Sequence, residues 1–265
     1  MKFKRKYLAI PYSVFMILFV IIPIMLILYY AFSDTATGEI SFAALVRFFS
    51  STTKLNVLLV SFFIGVLNTV LCLLIGYPLA FLLARKQYNT NTVLVLLFVM
   101  PMWINFVLRT GATRDLLTWF NISGGQHPYL ATMIGMVYNF LPFAVLPLYS
   151  TMLKLDQSQI EAAADLGANP VQVFTKSILP QSLPGIVSAS TMVFMPTMSS
   201  YVISDVLSEG KISLFGNSIY LNFSNSQWND GSFMALIMLA IVGITMLVTR
   251  RFNKDDFASR GGNLW

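Results

Sequence analysis

Three side chains spaced four residues apart are suited to binding a positively charged ligand. Tyr201, Asp205 and Glu209 follow one another at i, i+4 and i+8, so a helix through them would carry all three on one face. Two carboxylates attract a cation, and a neighbouring aromatic ring adds a cation–π contact. The alternative is that Asp205 is an interfacial acid held by water or by Lys211.

The rest of the sequence offers few groups for catalysis. The single histidine, His127, precedes Pro128 in a predicted loop, and the single cysteine, Cys72, lies inside an apolar stretch. A zinc site built from His and Cys therefore lacks ligands. No G-x-x-x-x-G-K-[ST] phosphate loop is present to bind ATP. We therefore predict that this chain binds no metal or cofactor and has no enzymatic activity of its own.

The composition is that of a membrane protein. Of 265 residues, 56% are hydrophobic and 11% are charged, whereas soluble domains carry about 25% charged residues. The mean hydropathy is +0.71. A membrane-spanning helix needs about 20 apolar residues, and the uncharged stretches predict six such spans: 7–33, 55–84, 87–108, 130–153, 177–204 and 231–249. The predicted fold class is all-α, a polytopic protein with six transmembrane helices in a single domain, 1–265.

The positions of Lys and Arg predict the orientation, because positive charges concentrate on the cytoplasmic side of membrane proteins. Of the 17 basic residues, twelve lie in the segments that share a side with both termini. The other five are Arg47, Lys54, Arg109, Arg114 and Lys211. Both termini are therefore predicted to be cytoplasmic. The net charge of +6 reflects this bias, so we predict contact with membrane lipid and none with nucleic acid.

Four side chains in the predicted third and fourth spans are candidates for lining a cavity. Trp103 and Asn105 lie just after a proline, and Tyr138 and Asn139 lie just before one. Polar and kinked positions inside membrane helices either line a cavity or satisfy one another within the bundle. We group these four with Tyr201, Asp205 and Glu209 as candidate pathway residues.

A polar segment between two apolar spans carries the clearest local pattern. Ser158 and Glu161 have the spacing of a capping box, which predicts the start of a helix. Gly167 stands where a left-handed C-terminal cap belongs. Asn169 followed by Pro170 predicts the N-cap and first position of a second helix. The predicted unit, a helix, a glycine turn and a helix, is either a docking element or an amphipathic helix at the membrane interface.

The sequence E-A-A-A-D-L-G-A beginning at Glu161 resembles the E-A-A loop of the permease subunits of bacterial ABC importers. The family pattern is E-A-A, three residues, Gly, nine residues, Ile, one residue and Leu-Pro. Ser177 stands at the Ile position and Ile178 follows it, which leaves the register of the second helix open. The resemblance implies that residues 154–180 form the loop that couples the permease to its ATPase subunit. The coupling residues would be Glu161, Ala162, Ala163, Ala164, Asp165, Leu166, Gly167 and Ala168.

Further segments between residues 74 and 207 resemble the permeases of spermidine/putrescine importers. They include G-Y-P-L-A, P-M-W-I-N-F-V-L-R, V-Y-N-F-L-P-F-A-V-L-P-L-Y-S and Y-V-I-S-D-V-L. The resemblance implies the type I permease fold of ABC importers, placed in the bacterial inner membrane and forming half of a pathway for polyamines. It also implies a second, homologous permease, two ATPase subunits that bind ATP and Mg²⁺, and an extracytoplasmic substrate-binding protein.

Three alternatives to a polyamine permease stay open. Permeases for sulfate, thiamine, iron and phosphonates share much of the same scaffold. An intramembrane enzyme, such as a lipid-modifying transferase, would need His, Cys or paired acids clustered at membrane depth. A purely structural membrane subunit would not need the coupling loop.

Overall fold

The protein is almost entirely helical. The computed structural model describes residues 9–34, 38–85 and 93–252. In chain order its α-helices are α1 (Ala9–Met16), α2 (Ile22–Ala31), α3 (Ala43–Ser50), α4 (Thr52–Ala84), α5 (Val93–Val99), α6 (Phe106–Trp119), α7 (Pro128–Met152), α8 (Gln157–Asp165), α9 (Pro170–Val173), α10 (Leu179–Ser199), α11 (Val202–Ser208), α12 (Phe215–Ser224) and α13 (Trp228–Phe252). Shorter segments between them are π-helical at Ile17–Ile21 and Phe174–Ile178 and 3-10 at Met100–Trp103. The predicted all-α fold class is confirmed.

Helix length and composition support the predicted membrane spans. Five helices in the described part of the chain are long and apolar enough to cross a membrane: Ile10–Ala31, Thr52–Ala84, Pro128–Met152, Pro170–Ser199 and Trp228–Arg250. A bent pair, Val93–Trp103 with Phe106–Trp119, makes the sixth when it is counted as one span. The predicted span starts at residues 7 and 87 and both chain ends lie outside the described residues, so the orientation of the termini stays a prediction.

The third span is broken, whereas the sequence predicted one kinked helix over residues 87–108. The 3-10 turn ends at Ile104, which is extended with ψ 139°, and α6 leaves the break at 96° to the preceding segment. Asn105 then starts α6, because its side-chain oxygen accepts a hydrogen bond from the N–H of Val107 at 2.9 Å. Pro101 lacks a backbone donor and Asn105 supplies a cap, so the chain restarts a helix here instead of continuing one.

The helix of the fifth span ends earlier than predicted. α10 stops at Ser199, and Ser200 is extended with ψ 128° before the separate helix α11 begins. Glu209 ends α11 in the left-handed conformation, with φ 51°. The predicted row of Tyr201, Asp205 and Glu209 therefore lies on α11 and its two cap positions, not on the helix of the fifth span, and all three side chains are exposed. The N–H of Gly210 then donates to the carbonyl of Asp205 at 2.9 Å, which closes the end of the helix.

Helices α4, α7 and α10 form the centre of the bundle. Gly65 of α4 lies so close to α10 that a Cβ atom would stand 3.0 Å from the ring of Phe194. Along the same interface the side-chain amide of Asn68 donates to the hydroxyl of Thr197 at 2.8 Å, and both residues are fully buried. Small residues and interhelical hydrogen bonds of this kind hold membrane helices together where the hydrophobic effect cannot.

A second cluster packs α2, α3, α12 and α13 beside this centre. Phe48 and Phe215 meet edge to face inside it, with ring centroids 6.3 Å apart. At its edge Asp230 accepts hydrogen bonds from Arg47 and Lys54, each at 2.8 Å. The cluster holds α12 against the end of α10, close to the candidate site described below.

We predict that Gly216→Ala destabilises the protein at the contact between α12 and α10. An added Cβ would lie 2.2 Å from the carbonyl oxygen of Ser199, and a backbone atom cannot move aside as a flexible side chain can. Overpacking of this kind costs about 1–3 kcal/mol. The thermal unfolding midpoint of the purified protein in detergent should therefore fall.

Gly243→Ala is the matched control, since no neighbouring atom lies within 4 Å of the Cβ it would add. Its unfolding midpoint should equal or slightly exceed that of the wild type, because Ala favours helix over Gly. Equal midpoints for the two variants would contradict the close contact at Gly216.

Candidate functional site

A cavity of about 540 Å³ opens where the break in the third span meets α7 and the end of α10. Trp103, Asn105, Asn139 and Tyr201, all predicted from the sequence, line it. Trp103 is 81% exposed, because it sits on the 3-10 turn of the break and not on a packed helix. The cavity therefore offers an aromatic face and amide groups at a point where a membrane span is interrupted.

The other predicted pathway residues do not line this cavity. Tyr138 packs beneath Arg109, whose guanidinium lies 5.5 Å from the centre of the tyrosine ring. Asp205 is exposed on α11 and Glu209 follows that helix, and neither contributes to the wall. Lys211, the alternative partner considered for Asp205, donates instead to the carbonyl of Gly125.

Arg109 is the residue of the cavity wall that sequence reasoning misplaced. It was counted with the basic residues flanking the spans, but it is only 8% exposed. Among the residues described as lining the cavity it alone carries a charge. Its Nε donates to Oδ1 of Asn139 at 2.8 Å and its Nη1 donates to the carbonyl oxygen of Pro101 at 2.7 Å. The signal was available, since an ionisable residue within a span is a functional candidate by default.

Two stacked tyrosines mark the edge of the cavity. The rings of Tyr201 and Tyr220 are 4.8 Å apart and nearly parallel, at 11°. One face of Tyr201 is therefore covered by a neighbouring ring. Asp205 remains one helical turn away from Tyr201, because its backbone N–H donates to the Tyr201 carbonyl.

The polar segment after α7 adopts the predicted arrangement of helix, glycine turn and helix, but α8 starts differently. The N-cap is Asp156, whose carboxylate accepts from both the backbone N–H and the hydroxyl of Ser158, at 3.0 and 2.6 Å. These bonds hold the pKa of the Asp156 carboxyl below its usual range. The predicted capping box of Ser158 with Glu161 is therefore wrong, because Ser158 donates its hydroxyl proton to Asp156 and does not cap the helix itself.

The turn after α8 is the predicted left-handed glycine cap. Gly167 has φ +80°, and its N–H donates to the carbonyl of Ala164 at 2.9 Å. The N–H of Ala168 reaches the carbonyl of Ala163 at 3.2 Å. This pair of bonds is the Schellman motif, which satisfies carbonyls that the helix end would leave free. A reciprocal capping box of Asn169 and Gln172 then starts α9.

The exposed side chains of this loop are of three kinds: acidic, small and apolar. Glu161, Ala162 and Asp165 are exposed, and Leu166 is 89% exposed at the turn. Ile160 is buried and fixes the opposite side of α8 against the rest of the protein. A free leucine beside small residues and carboxylates can dock into a cleft on another protein.

A π-helical turn resolves the register of the second helix. Over Phe174–Ile178 the backbone closes a wider ring, with the N–H of Leu179 bonded to the carbonyl of Phe174. Such a turn inserts one extra residue into the helical register. Ile178 is consequently buried, whereas Ser177 is only partly so. Ile178, not Ser177, thus faces the core, one position later than in the family pattern.

Comparison with known proteins gives the same assignment as the loop. Residues 2–254 match the family described as binding-protein-dependent transport system inner membrane component. The spermidine/putrescine transport system permease protein PotB of Haemophilus influenzae is 33% identical over 96% of this chain and 95% of its own length. PotB of Escherichia coli K12 is 31% identical over 90% of this chain and 94% of its own length.

Solved structures show the same fold. A chain of a bacterial ABC transporter that imports the acidic polysaccharide alginate superposes with a TM-score of 0.68, at 17% identity, over 94% of this chain and 95% of that one. A second structure, of the alginate transporter with an alginate pentasaccharide-bound periplasmic protein, gives a TM-score of 0.67 at 14% identity. The chain therefore belongs to the family of inner-membrane components of binding-protein-dependent transport systems, the permease subunits of bacterial ABC importers.

Proposed function

We propose that this chain is one of two permease halves of an ATP-driven importer of polyamines such as spermidine and putrescine. The observation that carries the proposal is the 31–33% identity to PotB permeases over nine-tenths or more of the chain. The assembled importer would contain a second, homologous permease, two ATPase subunits that bind ATP and Mg²⁺, and a substrate-binding protein outside the membrane. This chain would contribute half of the pathway and bind no cofactor itself.

The geometry supports a mechanical route from the E-A-A loop to the cavity. Residues Pro170–Ser199 form one uninterrupted helix of 30 residues, about 45 Å long at 1.5 Å per residue. It begins beside the glycine turn of the loop and ends in the cavity wall at Ser199. The side chain of Gln181 accepts a hydrogen bond from the N–H of Asp156 at 2.9 Å, which ties the start of α8 to the same helix. A displacement of α8 by an ATPase subunit would thus reach the cavity through one rigid element.

The cavity wall suits a ligand that passes and does not stay. Conduction requires binding that is favourable enough to admit the solute and weak enough to release it. The wall provides aromatic and amide groups with one guanidinium, and no carboxylate among its described residues. The sequence had predicted carboxylates along the pathway, so for a polyamine they must come from the second permease or from Asp205 and Glu209 beyond the cavity.

One observation favours a different solute. A guanidinium in the wall, at Arg109, would suit an oxyanion such as sulfate or a phosphonate. Two neutral acceptors already bind this guanidinium, and the polyamine reading has the stronger support because it rests on identity over nearly the whole chain.

The first prediction concerns coupling. Gly167→Pro and Glu161→Lys should leave the complex in the membrane and abolish the stimulation of ATP hydrolysis by the loaded binding protein, together with uptake. Proline cannot adopt the φ of +80° found at Gly167, and Glu161→Lys reverses an exposed charge on the docking surface. ATPase and uptake assays on the assembled complex in proteoliposomes measure both effects.

Asp115→Lys is the control for the charge reversal, because Asp115 is an exposed carboxylate on α6, outside the loop. It should keep stimulated ATPase activity near the wild-type level. Normal stimulation and uptake in both loop variants would refute a coupling role for the E-A-A loop.

The second prediction concerns the solute. Uptake of labelled spermidine and putrescine should be inhibited by an excess of unlabelled polyamine and unaffected by sulfate, thiamine, iron or phosphonate. Asp205→Asn should lower polyamine uptake about tenfold, the effect of losing one charge-assisted contact of about 1.5 kcal/mol. Asp205→Glu should retain part of the uptake, with all rates normalised to assembled complex.

Asp115→Asn serves as the control, since it removes a carboxylate from an exposed site without placing the change near Tyr201. Wild-type uptake by Asp205→Asn would remove Asp205 from the pathway. Competition by an oxyanion, with no competition by polyamines, would replace the proposed solute.

A further inference from the structure

The break in the third span leaves a backbone problem that one side chain solves. The 3-10 turn interrupts the third apolar span, and the α-helical ladder of hydrogen bonds stops with it. The carbonyl of Pro101 accepts only a 3.2 Å bond from the N–H of Ile104 within the turn. Unsatisfied carbonyls are costly in an apolar surrounding, so an interrupted span needs a donor from elsewhere. Nη1 of Arg109 donates a second, shorter hydrogen bond to the Pro101 oxygen, at 2.7 Å.

The same guanidinium reaches a second helix. Its Nε donates to Oδ1 of Asn139 on α7 at 2.8 Å. Asn139 is itself oriented, because its side-chain N–H donates to the carbonyl of Gly135 at 2.8 Å. The guanidinium also lies over the ring of Tyr138, 5.5 Å from its centre. One side chain of α6 therefore joins the segment before the break to α7.

The two hydrogen bonds of the Arg109 guanidinium bear on the residues that face the cavity. Trp103 is exposed on the 3-10 turn, and Asn105 is committed to capping α6. Both stand between Pro101 and Arg109 in the chain, inside the loop that the Arg109–Pro101 bond closes. The direction in which Trp103 points is therefore set by the angle of the break.

From this geometry we infer that Arg109 is the positioning residue of the translocation pathway. Its two hydrogen bonds, to the Pro101 carbonyl and to Asn139, fix the bend of the third span and so present Trp103 to the passing solute. The inference rests on the proposed permease function for the use of the cavity, but it requires no particular solute. The planar guanidinium is essential, since the ammonium of a lysine is a point charge that does not reproduce two donors in fixed directions.

The test is a distance across the break, measured by pulsed electron paramagnetic resonance on the assembled complex without solute. Nitroxide labels go on cysteines replacing Leu97 of α5 and Leu116 of α6, in a Cys72→Ser background; both leucines are exposed. Arg109→Gln should broaden the distribution of distances and shift it by about 3 Å or more, since α5 is a lever roughly 10 Å long. Arg109→Lys should show a similar change.

Arg114→Gln is the matched control, because Arg114 lies on the same helix and pairs with Asp115 at the surface. Its distance distribution should match the wild type. A second label pair at the exposed residues Tyr129 and Ser150 of α7, about 32 Å apart at 1.5 Å per residue, should stay unchanged in every variant, which separates a local change of the bend from general unfolding.

Transport kinetics give the functional readout. Arg109→Gln should raise the KM for the transported solute, whereas Arg114→Gln should leave the KM and the basal ATPase rate at their wild-type values, because Arg114 does not line the cavity. An unchanged distance distribution in Arg109→Gln would overturn the inference that Arg109 fixes the bend of the third span. A wild-type distance distribution in Arg109→Lys would show that a positive charge alone fixes the bend, and would overturn the role of the guanidinium geometry. A failure of the polyamine assignment would leave the distances unaffected, so the two proposals fail separately.

Discussion

Backbone hydrogen bonding inside an apolar membrane constrains this chain more than any other interaction. A continuous helix satisfies its own N–H and C=O groups, and any interruption must find partners within the protein. In the described part of the chain, an interruption after Trp103 and another after Ser199 both lie in the wall of one cavity. At the first, Asn105 caps the new helix and Arg109 satisfies a carbonyl. The cavity thus lies where two helices end and new ones begin.

The cavity and the docking surface are far apart, and a single helix links them. Pro170–Ser199 runs from the glycine turn to the cavity without a break, even though it contains prolines and a π-helical turn. The π-helical turn lies directly before Pro180, which has no N–H to offer the α-helical ladder. The asparagine and threonine pair between α4 and α10 then fixes the middle of this helix in the bundle. The loop and the cavity wall therefore share one helix.

Patterns with a strict local cause were predictable from the sequence. The six apolar stretches, the left-handed turn at Gly167 and the helix start at Asn169 follow from hydrophobic length, from a positive φ and from an N-cap with proline, and the structure confirms them. The start of α8 was not predictable by the capping-box rule, because Asp156 competes for the hydroxyl of Ser158.

The parts that depend on distant contacts were missed. Nothing local to Arg109 shows that its guanidinium will meet Asn139, thirty positions along the chain. The break at Ser200, which puts Tyr201 and Asp205 on the separate helix α11, was likewise not visible in the apolar pattern of the fifth span.

We propose that this permease subunit transmits force from an ATPase through the E-A-A loop. The most direct measurement is recovery of the ATPase subunit when this chain is affinity-purified from cells that express the whole importer. We expect stoichiometric recovery with the wild-type chain and strongly reduced recovery with Leu166→Asp, which places a charge at the exposed turn. The second permease should be retained in both cases. Equal recovery of the ATPase with the two chains, or none with the wild type, would contradict coupling through the E-A-A loop.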